Sequence, residues 1–434
     1  MLEPFQSRAA ESEAHGRTEL SSLLRGLCRV LLSIAILTAC FRAAAQSDPG
    51  ATKPYATLDR QSVAYRGPAR STEKDLPDGV AVIGMILPLQ GPRQSEGKAM
   101  LAAAQMALEA EQTLGPLPDG RKLALVARDE SGPWGQASSE ILKLVEQDHA
   151  LALLTSANGN SAHIAEQIAN KIGIPILTLS SDPTTTQTNV PWLFRLGPSD
   201  TDQARTFCQR IYTQLGLQKV LLIVQMDHDG RIGGAEFQKA AMDLKAVPPT
   251  RLEITAAVPN LDSFGERIQA SGADTIVIWT DAPLVEELLP LIHKARPSAP
   301  TFLCRKAAQM GTESDSANVS FASKEKIQTS QEFFTVRSLQ KEHETSQDTF
   351  RQLYLARTGL TPGIAATEAY EAVHQIATAL RDAGTSRVLL RDYLANAGNF
   401  HDATRIAPFD PAGNRMQEFT IVKLAPALTP ETSQ

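Results

Sequence analysis

Val80-Ala81-Val82-Ile83-Gly84-Met85-Ile86-Leu87 is an unbroken apolar run, closed by Pro88-Leu89-Gln90-Gly91-Pro92 and followed by a helix-like stretch over residues 97–111. A strand that is apolar at every position is covered on both faces, as in a parallel sheet flanked by helices. The pattern continues outward from it. Runs at 123–128, 151–154 and 174–178 read as strands, and 134–147 and 161–171 as helices. Short β-rich runs alternating with amphipathic helices mean βαβ crossovers, so the spacing predicts an α/β unit with a parallel sheet.

The alternation then restarts. Residues 220–225, 252–257, 274–279 and 300–303 read as strands, and 201–215, 231–245, 262–270 and 284–295 as helices. Two similar α/β units are therefore expected, joined through Phe194-Arg195-Leu196-Gly197-Pro198-Ser199-Asp200, where Gly-Pro breaks structure and Ser199 or Asp200 can cap the next helix. Beyond residue 305 the chain is polar and poorly periodic to about 330. Helices at 346–358, 365–383 and 386–397 follow, then a last strand at 416–423. The expected organisation is a first lobe from 78–198 and 326–403, a second lobe from 199–325 with a final strand in 404–424, and a tail over 425–434.

At 434 residues the chain is long enough for two or three domains. Its 42 Lys+Arg against 48 Asp+Glu give a net charge of -6 with no basic block, which argues against nucleic acid as a partner. One apolar run near 30–41 is too short to span a bilayer, which excludes a polytopic membrane protein. Arg25 and Arg29 before Val30-Leu31-Leu32-Ser33-Ile34-Ala35-Ile36-Leu37, with small residues after, have the order of a secretory signal over residues 1–45. Two processing sites compete: Leu37-Thr38-Ala39-Cys40 resembles a lipobox with Cys40 as the lipidation candidate, and Ala43-Ala44-Ala45 resembles an ordinary cleavage site. The long polar stretch before Arg25 points to a translation start further downstream, and 46–77 reads as a flexible tether. An exported protein keeps Cys208 and Cys304, which cannot by themselves cage zinc and read as buried or bridged structural cysteines.

In parallel α/β sheets, ligands bind outside the carboxyl ends of the strands, beside helix N-termini that favour anions. In the first unit those loops are Pro88–Pro92, the hydroxyl- and amide-rich Thr155-Ser156-Ala157-Asn158-Gly159-Asn160-Ser161, and Ser180-Ser181-Asp182-Pro183-Thr184. Such groups hold a small carboxylate or amide without ionising. The second unit offers charged loops: Met226-Asp227-His228-Asp229-Gly230-Arg231, Thr280-Asp281-Ala282-Pro283 and Cys304-Arg305-Lys306. Adjacent loop residues such as Asp227, His228 and Asp229 rarely converge on one ion, so no metal is expected. Enzyme motifs fail on spacing. Gly91 to Gly97-Lys98-Ala99 has five residues between the glycines where a phosphate loop has four, and Ser323 with Lys326 has no Lys-Thr-Gly after it. Neither catalysis nor a cofactor is expected.

Taken in order, Ile83–Pro92 with Gly97, Arg128-Asp129-Glu130, Ile174-Pro175-Ile176, Phe194–Asp200, Gly272-Ala273-Asp274 and Phe409-Asp410-Pro411-Ala412-Gly413-Asn414-Arg415 resemble the type I periplasmic solute-binding proteins of the branched-chain amino-acid (leucine-binding) kind. The resemblance covers about residues 80–424. It implies two Rossmann-like lobes with parallel sheets, joined by three crossovers and closing on a small solute that is passed to ABC permease subunits. It also implies a monomer. By position within matching motifs, first-lobe ligand contacts would fall near Ala157 or Asn158, with Ser156 beside them as a further candidate, and on Ser180 and Ser181, which would hold the ligand carboxylate. Asp229 and Asp281 stand where amino-acid binders of the family tend to have aromatic residues, and Lys306 aligns with the acidic residue that holds the ligand ammonium. That substitution suggests an acidic or amide-like solute, unless Asp229 or Asp281 compensates the lysine. The rival reading is an envelope lipoprotein of the same fold that regulates a cell-wall synthase, compatible with Leu87-Pro88-Leu89-x-Gly91 and Cys40.

Overall fold

Apolar β1 (Val80–Leu87) is an interior strand of its sheet, paired on one side with β2 (Lys122–Asp129) and on the other with β3 (Ala152–Thr155), and all but its first residue are buried. The structure is a computed structural model and describes residues 79–132, 135–188, 190–255, 260–308, 311–314, 318–321, 332–339, 344–396 and 408–426. The export signal, Cys40, the tether, Ser323, Lys326 and residues 427–434 lie outside the described residues.

The first sheet is completed by β4 (Ile176–Thr178) and β5 (Leu193–Arg195), in the order β2-β1-β3-β4-β5, with every pairing parallel. Helices α1 (Gln94–Gln112), α2 (Gln136–Glu146), α3 (Gly159–Ile172) and the short α4 (Thr184–Gln187) connect its strands. The second sheet starts with the same winding. In it β7 (Thr250–Ile254), β6 (Val220–Gln225), β8 (Thr275–Trp279) and β9 (Thr301–Leu303) are neighbours in that order, all parallel. Helices α5 (Asp200–Cys208, continued by a π-helical turn over Gln209–Gln214), α6 (His228–Asp243), α7 (Leu261–Ala270) and α8 (Ala282–Ala295) accompany it. In both halves the winding reverses beside the first strand, between β1 and β3 and between β6 and β8. These switch points are where such sheets open a crevice.

After β9 the chain differs from the sequence reading. β10 (Gly311–Ser314), β11 (Asn318–Phe321) and β12 (Phe333–Leu339) extend the second sheet; β12 runs parallel to β9 and antiparallel to β13 (Glu418–Pro426). The return to the first lobe, expected from residue 326, therefore comes only after β12. It is made by α9 (Glu344–Thr358), α10 (Ile364–Ala383) and α11 (Arg387–Ala395). The alanine-rich face of α10 (Ala365, Ala369, Ala372, Ala377, Ala379) joins Met100, Ala104 and Ala107 of α1 in the first core. Small side chains let these helices pack closely over a sheet already covered by α1. Phe350 and Tyr354 of α9 pack against Ala103 and Met106 of α1.

The last crossover is also later than expected. Arg195 N donates to Gly413 O at 2.8 Å, Arg415 N donates to Arg195 O at 3.1 Å, and Phe409 joins the first core. Residues 408–415 thus extend the first sheet's edge before the chain passes to β13. β5 runs into the Gly197-Pro198 break that reads as a connection, and β10 and β11 lie in the polar stretch after residue 305, so none of the three stands out as an apolar run as β3, β4 and β9 do. A second core, built on Phe207, Phe237, Ile276, Trp279, Phe302 and Val336, holds the other lobe together. Cys208 and Cys304 are buried in it as free thiols, which selects the unbridged alternative. Among the described residues no helix is long and apolar enough to cross a membrane.

Candidate functional site

Three strand ends of the first lobe, those of β1, β2 and β3, feed one region. Glu130, just past β2, is tied to β1 by a bond from its amide to Leu87 O at 2.9 Å. Ser156 Oγ, just past β3, donates to Glu130 Oε1 at 2.6 Å. Arg93, at the start of α1, lies 3.7 Å from the same oxygen and pairs with Glu96 at 2.6 Å. Burial, opposed by the attraction of Arg93 and the bond from Ser156, pushes the Glu130 carboxyl up to about 7. Its Oε2 is buried with no hydrogen-bond partner.

The hydroxyl and amide groups singled out in the sequence are spent partly on their own loops. Asn158 caps α3, its side chain accepting from the amides of Asn160 and Ser161. Ser180 Oγ accepts from Asp182 N at 3.2 Å, and its carbonyl accepts from buried Arg195 at 3.1 Å. Ser181 O accepts from Asp200 N at 2.7 Å, and Ala157 is buried. Ser199, not Asp200, caps α5, in a capping box with Asp202. Asp200 is instead buried, receiving the indole N–H of Trp279 at 3.2 Å, and burial pushes it up to about 7.

The second lobe contributes a charge cluster. Lys306 Nζ lies 2.5 Å from Asp229 Oδ2, 2.7 Å from Asp281 Oδ1 and 3.9 Å from Asp227 Oδ2. Gln225 fixes Asp281 from both sides, its Oε1 accepting from the Asp281 amide at 2.7 Å and its Nε2 donating to Oδ2 at 3.2 Å. Burial alone would lower the Lys306 ammonium, but Asp229 and Asp281 outweigh it and hold the ammonium above its ordinary value. The lysine is thus compensated, and the charge argument against an ammonium-bearing solute loses its basis.

The two lobes meet here. The carboxylate of Asp229 accepts from the Gly159 amide at the N-terminus of α3, at 3.1 and 3.3 Å. A Cβ on Gly159 would stand 2.3 Å from Asp229 Oδ1, so only glycine permits the approach. Beside it His228 Nε2 lies 2.6 Å from Asp182 Oδ2, and His163 Nε2 lies 3.0 Å from the same oxygen. Asp182 and then Glu166 raise His163 to about 9. Arg305 pairs with Glu368 on α10. Of the residues named from sequence, Asp229, Asp281 and Lys306 form one cluster, which abuts the Ser156–Gly159 turn. Arg93, Glu130, His163, Asp182 and Trp279 were not named as ligand contacts. Their places at or near strand ends and helix starts are the one local sign of them, because the contacts that draw them together, Arg93 with Glu130, His163 with Asp182 and Trp279 with Asp200, join residues remote in sequence.

The profile of the family described as periplasmic binding protein matches residues 81–424. The chain belongs to this family. Solved structures with the fold include the branched-chain amino-acid transporter substrate-binding protein LivJ of Streptococcus pneumoniae in complex with isoleucine. It is 18% identical, with TM-score 0.64, covering 79% of this chain and 99% of that one. A solute-binding protein of Rhodopseudomonas palustris in complex with benzoate is 18% identical with TM-score 0.65, covering 81% and 98%. In sequence, the chain is 27% identical over 217 residues to an amino acid binding protein of Pseudomonas aeruginosa, spanning 50% of this chain and 57% of that relative. The family is one of solute-binding proteins and implies a location outside the cytoplasm.

Proposed function

We propose that this periplasmic binding protein captures a small carboxylate-bearing solute between its lobes and delivers it, chemically unchanged, to the membrane subunits of an ABC importer. One observation carries the reading: the N-terminus of α3 already holds a carboxylate, that of Asp229 from the opposite lobe. The Gly159 amide and the positive end of the α3 dipole make this an anion site, and a solute carboxylate is the natural competitor of Asp229 for it. The relatives bind isoleucine and benzoate, both of which present one carboxylate beside an apolar body. Compensation of Lys306 leaves room for a zwitterion as well as for an aromatic acid. The export signal over residues 1–45, with Cys40 as the alternative anchor, is the proposed route out of the cytoplasm. The cell-wall regulator finds no support in the relatives named above.

The test is thermal unfolding of the purified protein with isoleucine, leucine, benzoate and simple organic acids in turn. A ligand that binds only the folded form at 100 times its Kd adds about 2.7 kcal/mol of apparent stability. A saturable rise in Tm with at least one carboxylate solute is expected. No rise with any of them, and no small molecule found by mass spectrometry of the denatured protein, defeats the reading.

A further inference from the structure

We propose that His163, Asp182 and His228 form a divalent-cation site, suited to zinc, that spans the two lobes. His163 Nε2, Asp182 Oδ2 and His228 Nε2 all lie within 4.8 Å of one another. A tetrahedral zinc with bonds of about 2.0–2.2 Å places its donors about 3.3 Å apart, so the observed 2.6 and 3.0 Å separations need to widen by less than about 1 Å. Two imidazole nitrogens and one carboxylate oxygen suit zinc better than magnesium or calcium, which prefer oxygen throughout.

The surroundings are those of a metal site in three respects. Glu166 Oε2 lies 3.1 Å from His163 Nδ1, a carboxylate behind the imidazole that would keep the proton on Nδ1 when Nε2 exchanges its present contacts, Asp182 Oδ2 at 3.0 Å and Thr184 Oγ1 at 2.8 Å, for the ion. Thr184 donates both its amide and its hydroxyl to Asp182 Oδ1, at 2.8 and 2.7 Å, which leaves Oδ2 to face the two histidines. The Asp182 side chain is fully enclosed while the histidines are 24% and 28% exposed, so the ion has an entry path to a buried anchor. Three protein ligands leave a fourth position for water or a solute oxygen.

His163 is on α3 and Asp182 follows β4, both in the first lobe; His228 opens α6 in the second. Opening the crevice would remove one ligand, so zinc binds the closed form and favours it. Sequence reading rejected a metal at Asp227-His228-Asp229 because neighbours in a loop do not converge. The fold takes only His228 from that triplet and supplies the other two ligands from elsewhere in the chain.

The experiment is calorimetric titration of zinc chloride into the tag-free, chelator-treated full chain, without added solute. One equivalent bound per chain is expected. His163→Gln or His228→Gln should weaken it by more than about 100-fold, and Glu166→Gln by about 10–100-fold. Circular dichroism checks that each variant is folded. In the native protein alone, cobalt should give the absorption bands of a nitrogen-oxygen tetrahedral site, and zinc should lower the radius of gyration in solution scattering. Failure of the native chain to take up zinc at micromolar concentration, or equal affinity in folded His163→Gln and His228→Gln, overturns the proposal. Either result leaves the thermal-unfolding test with solutes unaffected.

Discussion

Glu130 is enclosed at the end of β2 with one oxygen bonded by Ser156 and the other bare. Its carboxyl titrates at about 7 in the folded chain, against about 4.3 for an exposed glutamate. The folded state therefore holds this proton more tightly than the unfolded one. Stability from that preference is complete below about pH 4 and is lost as pH rises through about 7. Glu130→Gln keeps an acceptor for Ser156 but has nothing to ionise. Relative to the parent, it should gain on the order of 3 kcal/mol between pH 4 and pH 8. Thermal melts at those two pH values check this; an equal offset at both would contradict the assignment. Lys306 illustrates the opposite balance, since two carboxylates within 2.7 Å keep a buried ammonium charged.

At the scale of elements, the third crossover depends on one turn. Gly413 has φ +90°, and a Cβ there would stand 2.2 Å from Leu193 O, the backbone of β5. Gly413→Ala must pay a left-handed conformation and also push residues 408–415 off the sheet edge, breaking the bonds between Arg195 and its partners Gly413 and Arg415. A loss on the order of 3 kcal/mol is expected, measured by urea unfolding. A change below about 1 kcal/mol would mean the edge strand contributes little. The same segment holds Asn414, whose Oδ1 accepts from Arg195 Nε at 3.1 Å and from Thr186 Oγ1 at 3.0 Å, locking the turn to α4 and β5.

For the whole molecule, Cys208 and Cys304 belong to one core, and burial pushes both thiols up to about 12. Neither should react with a thiol reagent in the native protein, and both should become reactive together as the second lobe unfolds in urea. In a chain without residues 1–45, which removes Cys28 and Cys40, two thiols should be counted in denaturant without reductant; none would mean a disulfide. The repeated βαβ alternation was legible because buried parallel strands are continuous apolar runs and their helices are amphipathic, properties written in local order. So the two lobes, the loops at their strand ends and the likeness to solute-binding proteins could be read without coordinates. The strands β5, β10 and β11 could not, since β5 merges into a Gly-Pro connection and the other two lie in a polar stretch with no apolar run, and β12 joined the second sheet only because β9 and β13 leave a place between them. Site chemistry divides in the same way. Sequence placed Asp229, Asp281 and Lys306 in loops, but whether the lysine repels a ligand or is neutralised depends on distances of a few ångströms. Those distances, the Asp229 bridge to α3 and the meeting of His163, Asp182 and His228 are set by how two separately wound sheets face each other, and since the energy of a charge pair depends on its separation and on the local dielectric, no linear pattern encodes it.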